Sequence, residues 1–153
     1  MTERERQAEQ NFYDGNNCAQ SVLMAYADVL GLTREQAAMV SVGFGGGMGR
    51  LRLHCGAFSA AVMLAGVMAG KDGADKAQRP ETYARVQEIH RRFIECNGTI
   101  SCAELLGRAG VPENPTPEER TQEYYAKRPC AGVIRSACRL IDGMLAEMEA
   151  ADA

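Results

Sequence analysis

The sequence predicts an all-α, single-domain helical bundle of about six to eight helices around a buried central helix at residues 56–70. Two observations predict the class: polar cap residues are repeatedly followed three positions later by Glu or Gln, and no segment alternates apolar and polar residues as a half-buried strand does. A third identifies the centre. From Gly56 to Gly70 the only polar side chain is that of Ser59, and a helix that is apolar all round is typical of a bundle interior.

The first half of the chain contains four predicted helices. Asn17 and Thr33 are cap residues that precede a Gln by three positions, which is the signature of a capping box. The Asp14-Gly15 and Gly31 positions favour helix ends. The predicted helices are 3–14, 18–31, 33–43 and 56–70.

The second half contains a long amphipathic helix and three further helices. Pro80 suits the first turn of a helix that continues to Glu95 and that Asn97-Gly98 closes. Ser101 opens a short helix ending at Gly107, Thr116 with Glu119 opens another, and Pro129 precedes the last. In the long helix we expect five side chains to point inward: Tyr83, Val86, Ile89, Phe93 and Ile94.

Length and charge exclude several classes of protein. The 153 residues are taken as one helical domain, 1–153, since a chain of this size buries roughly 68–70% of its unfolded surface. A net charge of -3, with both signs mixed, offers no basic stripe for nucleic acid and no polybasic patch for lipid. The apolar segment 56–70 is shorter than the ~20 residues of a membrane span. We therefore expect no binding to nucleic acid and no insertion into a membrane. The sequence leaves open whether the protein forms a homo-oligomer.

Cysteine usage points to redox or metal chemistry. The charged start, Met1 to Gln7, lacks the apolar region of a secretory signal, so we expect a cytoplasmic location, where thiols stay reduced. Six cysteines in that compartment more often serve metal or redox chemistry than a disulfide framework. None is spaced as Cys-x-x-Cys, which excludes zinc-finger and thioredoxin-like motifs.

Four of the six cysteines lie at predicted helix starts: Cys18, Cys55, Cys102 and Cys130. Free backbone N–H groups and the helix dipole favour a thiolate there, so we expect a lowered pKa and one shared site. Cys96 near a helix end and Cys138 within a helix lack this assistance. The alternative interpretation is that the cysteines are small apolar core residues.

The stretch before Cys55 has five glycines between positions 43 and 49. Glycine allows left-handed and close-approach backbone conformations. No Gly-Lys-Ser/Thr follows, so the sequence does not predict a phosphate loop. We expect the loop to bring backbone N–H groups close to sulfur, and Arg50 and Arg52 to offset thiolate charge.

Five segments carry a resemblance to a known family: 17–22 (NCAQSV), 43–49 (GFGGGMG), 55–60 (CGAFSA), 102–107 (CAELLG) and Cys130. They resemble the redox-active proteins named for their C_GCAxxG_C_C pattern, although that motif ends in glycine where this chain has Ala60. The family is similar to the iron-sulfur C-terminal part of split-Soret cytochromes, which implies an iron-sulfur cluster or another redox role. Cys-x-x-Cys-His is absent, so haem is not implied. The family cysteines correspond to Cys18, Cys55, Cys102 and Cys130.

The leading hypothesis is an iron-sulfur protein in which those four cysteines bind one metal cluster of the [2Fe-2S] type. It would act in electron transfer or redox sensing with a redox partner protein. One alternative is a thiol-disulfide oxidoreductase in which Cys55 attacks and another cysteine resolves, and this leaves open whether the protein is an enzyme. Others are a module that binds zinc or another soft metal, and a structural bundle with incidental cysteines.

Overall fold

The computed structural model describes residues 1–107 and 114–152, and these residues form an all-α fold, as predicted. The described residues contain no strand, and one isolated antiparallel bridge joins His54 to Ser101. Their α-helical segments are α1 (Glu3–Tyr13), α2 (Cys18–Ala25), α3 (Ala27–Leu30), α4 (Arg34–Ser41), α5 (Gly45–Met48), α6 (Gly56–Val67), α7 (Arg79–Asn97), α8 (Cys102–Leu105), α9 (Gln122–Lys127) and α10 (Cys130–Asp152). Short 3₁₀ turns lie at Val42–Phe44, Gly70–Ala74 and Lys76–Gln78.

Local capping fixes the helix starts that matter for the site. The Asn17 side chain accepts from the Gln20 N–H at 2.9 Å, and the Gln20 side chain accepts from the Asn17 N–H at 3.1 Å. Ser101 likewise accepts from the Glu104 N–H at 3.2 Å. Because each cap satisfies backbone donors that the first turn leaves free, α2 starts at Cys18 and α8 at Cys102.

The central helix α6 packs against α2, α7 and α10, which confirms the predicted centre of the bundle. Its buried residues are mostly small: Gly56, Ala57, Phe58, Ala60, Ala61, Leu64 and Ala65. Small side chains let neighbouring helices approach closely. The helix ends at Val67 rather than at residue 70, and the chain turns at Gly70 with a φ of 65°.

Helix α10 is tied to the N-terminal helices by polar contacts. The fully buried Tyr26 hydroxyl donates to Asp142 Oδ1 at 2.6 Å and lies 3.0 Å from the Cys138 carbonyl oxygen. Arg139 Nε donates to Glu5 Oε1 at 2.5 Å. The N-terminal and C-terminal helices therefore form one packed unit.

Two predictions about helix faces and starts are wrong. Tyr83 was expected to point inward but is 59% exposed, whereas Ile89 and Phe93 on the same helix are fully buried. The helix predicted to start at Thr116 starts after Thr121, whose side chain accepts from the Tyr124 N–H. Residues 117–120 instead run as irregular chain, from which Glu118 pairs with Arg128 and Arg120 stacks on the Phe12 ring.

Membrane insertion was not expected. Within residues 1–107 and 114–152, every helix falls short of the length or apolar character that crossing a bilayer would require.

Candidate functional site

Four cysteines from four separate parts of the chain line one cavity of about 60 Å³: Cys18, Cys55, Cys102 and Cys130. Three of them are the first residues of α2, α8 and α10, and Cys55 directly precedes α6. The cavity is large enough for more than one water-sized group. The structure thus brings together the four cysteines that helix capping and the family resemblance had picked out.

The two remaining cysteines lie outside this cavity. Cys96 is exposed near the end of α7, and Cys138 is fully buried within α10. All six cysteines are free thiols.

Cys55 and Cys102 lie on neighbouring segments that backbone bonds hold together. The Cys55 N–H donates to the Ile100 carbonyl, and the Cys102 N–H donates to the Leu53 carbonyl, each at 2.7 Å. Cys55 is the cap residue of α6, a position that serine or threonine usually occupies.

Cys18 and Cys130 are the other two cysteines of the cavity. The Cys18 thiol donates a hydrogen bond to the Cys130 sulfur. This bond, helped by the nearby positive charges of Arg128 and Arg120, lowers the pKa of Cys130 despite its burial. The same bond and burial raise the pKa of Cys18 well above its usual range.

The expectation that all four helix starts lower the thiol pKa is wrong for three of the four cysteines. Burial raises the pKa of Cys55 to about 12. Burial also raises the pKa of Cys102, outweighing its contact with Arg52. Loss of hydration disfavours the charged form of any buried thiol, and sequence does not report burial. Burial therefore disfavours the Cys55 thiolate, and Cys130 is the cavity cysteine whose pKa is lowered.

The glycine loop packs against the cysteine-bearing segments through a left-handed turn. Gly46, Gly47, Met48 and Gly49 all have φ between 56° and 71°. A Cβ at Gly47 would lie 2.6 Å from the Leu53 nitrogen and 2.7 Å from the Cys102 Cβ, so only glycine fits. The loop thus approaches Cys102 closely, as expected, but the close contact is between the Gly47 Cα region and the Cys102 Cβ rather than between an N–H group and sulfur.

The amide groups of the loop bond within the loop. The N–H groups of Gly49, Arg52 and Leu53 donate to the carbonyls of Gly43, Gly46 and Gly47 at 2.9 to 3.1 Å. These N–H groups therefore bond to carbonyl oxygens of the loop rather than to sulfur.

Positive side chains lie beside the thiols, as expected for Arg52. Arg52 is 7% exposed, and its Nη1 lies 3.8 Å from the Cys102 sulfur. Sequence reasoning missed two more arginines: the guanidinium carbons of Arg120 and Arg128 each lie 4.7 Å from the centre of the Tyr124 ring. The available signal was that each arginine is four residues from Tyr124, because residues four apart share a helix face. Arg120, however, precedes α9 and reaches the site from irregular chain.

The arrangement of donors bears on what the site can hold. Within the described residues, no three His, Cys, Asp or Glu side chains converge on a position where they could bind a metal ion. The four thiols instead surround a cavity.

Comparison with known proteins shows which family this chain is similar to. Residues 16–144 match the family described as "Putative redox-active protein (C_GCAxxG_C_C)". A protein of Archaeoglobus fulgidus that carries the name "Uncharacterized protein" is 32% identical over 97 residues, which cover 58% of this chain and 64% of that relative. The chain thus spans less than two thirds of the relative's length. No solved structure is significantly similar to it. Since the family match covers most of the chain and contains all four cysteines of the cavity, the protein belongs to the C_GCAxxG_C_C family of redox-active proteins.

Proposed function

We propose that the four cysteines of the cavity bind one [2Fe-2S] cluster and that the protein acts in electron transfer or redox sensing. The supporting observation is that Cys18, Cys55, Cys102 and Cys130 line one cavity although they come from four distant parts of the chain. A redox partner protein would supply or accept the electron.

The chemistry of the donor set fits this cluster type. A [2Fe-2S] cluster takes four thiolates, two on each iron, and so needs no position that three protein donors share. The thiols of Cys18 and Cys130 interact with each other, and backbone hydrogen bonds join the segments that carry Cys55 and Cys102. A structural zinc ion would need four ligands around one point. Elemental analysis of the purified protein separates this zinc alternative from the cluster.

The residues of the chain would tune such a cluster. When bound, the cluster supplies one-electron exchange. The guanidinium of Arg52, near the Cys102 sulfur, would stabilise negative charge on that sulfur. Positive charge near a ligating sulfur favours the reduced form, so Arg52 would raise the reduction potential.

The test is purification without oxygen, followed by measurement of iron, acid-labile sulfide and visible absorbance. We expect about two irons and two sulfides per chain, as the cluster type requires. Replacing any cavity cysteine with serine should reduce both contents, whereas Cys96→Ser should leave them unchanged. Protein that is colourless, free of iron and impossible to reconstitute would exclude the cluster.

A second candidate function rests on the hydrogen bond between Cys18 and Cys130. In thiol-disulfide exchange, the Cys130 thiolate would attack a disulfide of a partner protein, forming a mixed disulfide and releasing one partner thiolate. Attack by Cys18 would then form the Cys18–Cys130 disulfide and release the second. The chain loses two electrons and two protons, and the partner disulfide becomes two thiols.

Thiol counting separates the two functions. Incubation of metal-free protein with a small disulfide should remove two thiols per chain if exchange operates, and Cys130→Ser should abolish this loss. An unchanged thiol count would exclude the exchange function without affecting the cluster.

A further inference from the structure

A second cavity of about 300 Å³ lies beside the cysteine cavity and shares part of its wall. Arg52, Arg120, Tyr124 and Arg128 line both cavities, whereas Arg50 lines only the outer one. Among the described residues, the outer lining carries four arginines and a single carboxylate, that of Glu118. The cavity is therefore strongly cationic.

Arg120 is held in place by neutral groups. Its Nη1 donates to the Phe12 carbonyl at 3.2 Å and its Nη2 to the Asn16 carbonyl at 3.1 Å. Its guanidinium also stacks on the rings of Phe12 and Tyr124, at 4.9 and 4.7 Å from the ring centres. Within the described part of the chain, none of these contacts is with a carboxylate. These contacts hold the Arg120 guanidinium in place without neutralising its positive charge.

Glu118 faces the three other arginines. Its Oε1 lies 2.5 Å from an Arg128 nitrogen, 3.8 Å from one of Arg52 and 4.0 Å from one of Arg50. One carboxylate thus serves three guanidinium groups. Burial, and then the charges of Arg52 and Arg128, lower the pKa of Arg50 against the opposing effect of Glu118.

The backbone that carries Arg50 and Arg52 is strained. Their φ angles are 68° and 60°, in the left-handed region that residues other than glycine rarely adopt. Such conformations persist where the surrounding structure requires them, and they cluster at functional sites. Here both strained residues place their side chains at the wall of the outer cavity.

We propose that the outer cavity binds a small, multiply charged oxyanion, either inorganic phosphate or the phosphate group of a small molecule, directly beside the cysteine site. Guanidinium groups match such oxygens with two parallel hydrogen bonds. The volume lies at the lower end of the range for small-ligand sites. Compensation of thiolate charge does not account for Arg50, because Arg50 does not line the cysteine cavity. The anion site goes beyond the redox function proposed above and does not depend on it.

Isothermal titration calorimetry of the full chain tests the proposal, with inorganic phosphate and phenyl phosphate as separate probes and sodium chloride at matched ionic strength as the blank. Arg50→Gln should weaken phosphate binding by at least about tenfold, because it removes a charged donor. Arg91→Gln, which changes an exposed arginine on α7 that pairs with Glu88, should have no effect. Glu118→Gln should tighten binding by about tenfold, because it removes the carboxylate that competes with the anion.

The gain expected for Glu118→Gln cannot arise from misfolding, so it keeps the test decisive. Tight binding of inorganic phosphate supports a free anion as ligand, and binding of phenyl phosphate alone supports a phosphate ester. The proposal is overturned if neither probe binds the unmodified chain or Glu118→Gln, or if Arg50→Gln and Arg91→Gln bind equally. Iron measured in the same samples reports separately on the cluster.

Discussion

The Cys18 thiol donates a hydrogen bond to the Cys130 sulfur, which joins the first residue of α2 to the first residue of α10. Packing of α2 and α10 against α6 brings these helix starts together. The acceptor, Cys130, is the one cavity cysteine whose pKa is lowered. The contact therefore links the assembly of the site to the lowered pKa of Cys130.

The pH dependence of alkylation tests this contact in metal-free protein. A thiol reacts as its thiolate, so a lowered pKa moves the midpoint of the rate profile to lower pH. We expect the Cys130 midpoint, followed by iodoacetamide labelling and peptide mass spectrometry, to lie below the value of about 8.5 that is typical of a free cysteine. Cys18→Ala removes the donor and should move the Cys130 midpoint upward. An identical midpoint in Cys18→Ala would show that the hydrogen bond does not set the pKa.

Two glycines of the loop provide a matched pair for stability. Gly47→Ala should lower the free energy of unfolding by about 2–4 kcal/mol, because its Cβ would overlap Leu53 and Cys102 in addition to the left-handed strain. Gly49→Ala has a similar φ, 56°, but no atom within 4 Å of its Cβ, so about 1–2 kcal/mol is expected. Urea denaturation measures both. Equal losses would mean that close packing at Gly47 contributes nothing.

The buried Tyr26 hydroxyl is expected to stabilise the junction of α2 and α10. Tyr26→Phe loses the 2.6 Å bond to Asp142 and leaves that carboxylate with one fewer donor. We expect a loss of about 1–3 kcal/mol in the free energy of unfolding. Tyr83→Phe, at a tyrosine that is 59% exposed, should cost almost nothing. A similar cost at both positions would contradict this role for the Tyr26 hydroxyl.

Stability should fall as the pH rises above about 9, since free cysteine and tyrosine ionise near pH 8.5 and 10 in the unfolded chain. Burial raises the pKa of Cys138 to about 12 and raises that of Tyr26 as well. The folded state thus keeps protons that the unfolded state releases, and the free energy of unfolding decreases with pH across this window. Urea denaturation from pH 8 to 11 measures the slope, which should be shallower in Tyr26→Phe. A flat or rising profile would contradict the assignment.

Local signals predicted the positions of the site cysteines but not their environment. The starts of α2 and α8 at Cys18 and Cys102 follow from capping, which involves residues three apart and is visible in sequence. The raised pKa of Cys55 depends on burial by distant helices, which no local pattern reports. The same limit explains Tyr83, because helical periodicity identifies a face but not how far neighbouring elements cover it.

The cationic cavity could not be predicted from the sequence, for a related reason. Arg120 and Arg128 each stand at helical spacing from Tyr124 in the sequence. The stacking of both guanidinium groups on the Tyr124 ring, however, is a tertiary arrangement. Arg50 and Arg52 were noted as candidates for charge compensation. Their common partner Glu118 lies far along the chain, so the cluster could not be assembled from sequence.

Iron and acid-labile sulfide content in Cys55→Ser and Cys138→Ser, purified without oxygen, is the most direct test of the central claim. Both cysteines are buried, 5% and 0% exposed, and burial raises the pKa of each to about 12, so the two variants are matched in burial and in thiol pKa, and only Cys55 lines the cavity. The cluster proposal predicts that Cys55→Ser loses most of its iron and sulfide while Cys138→Ser keeps both. Equal contents in the two variants, or no iron in the unmodified protein even after reconstitution, would contradict it.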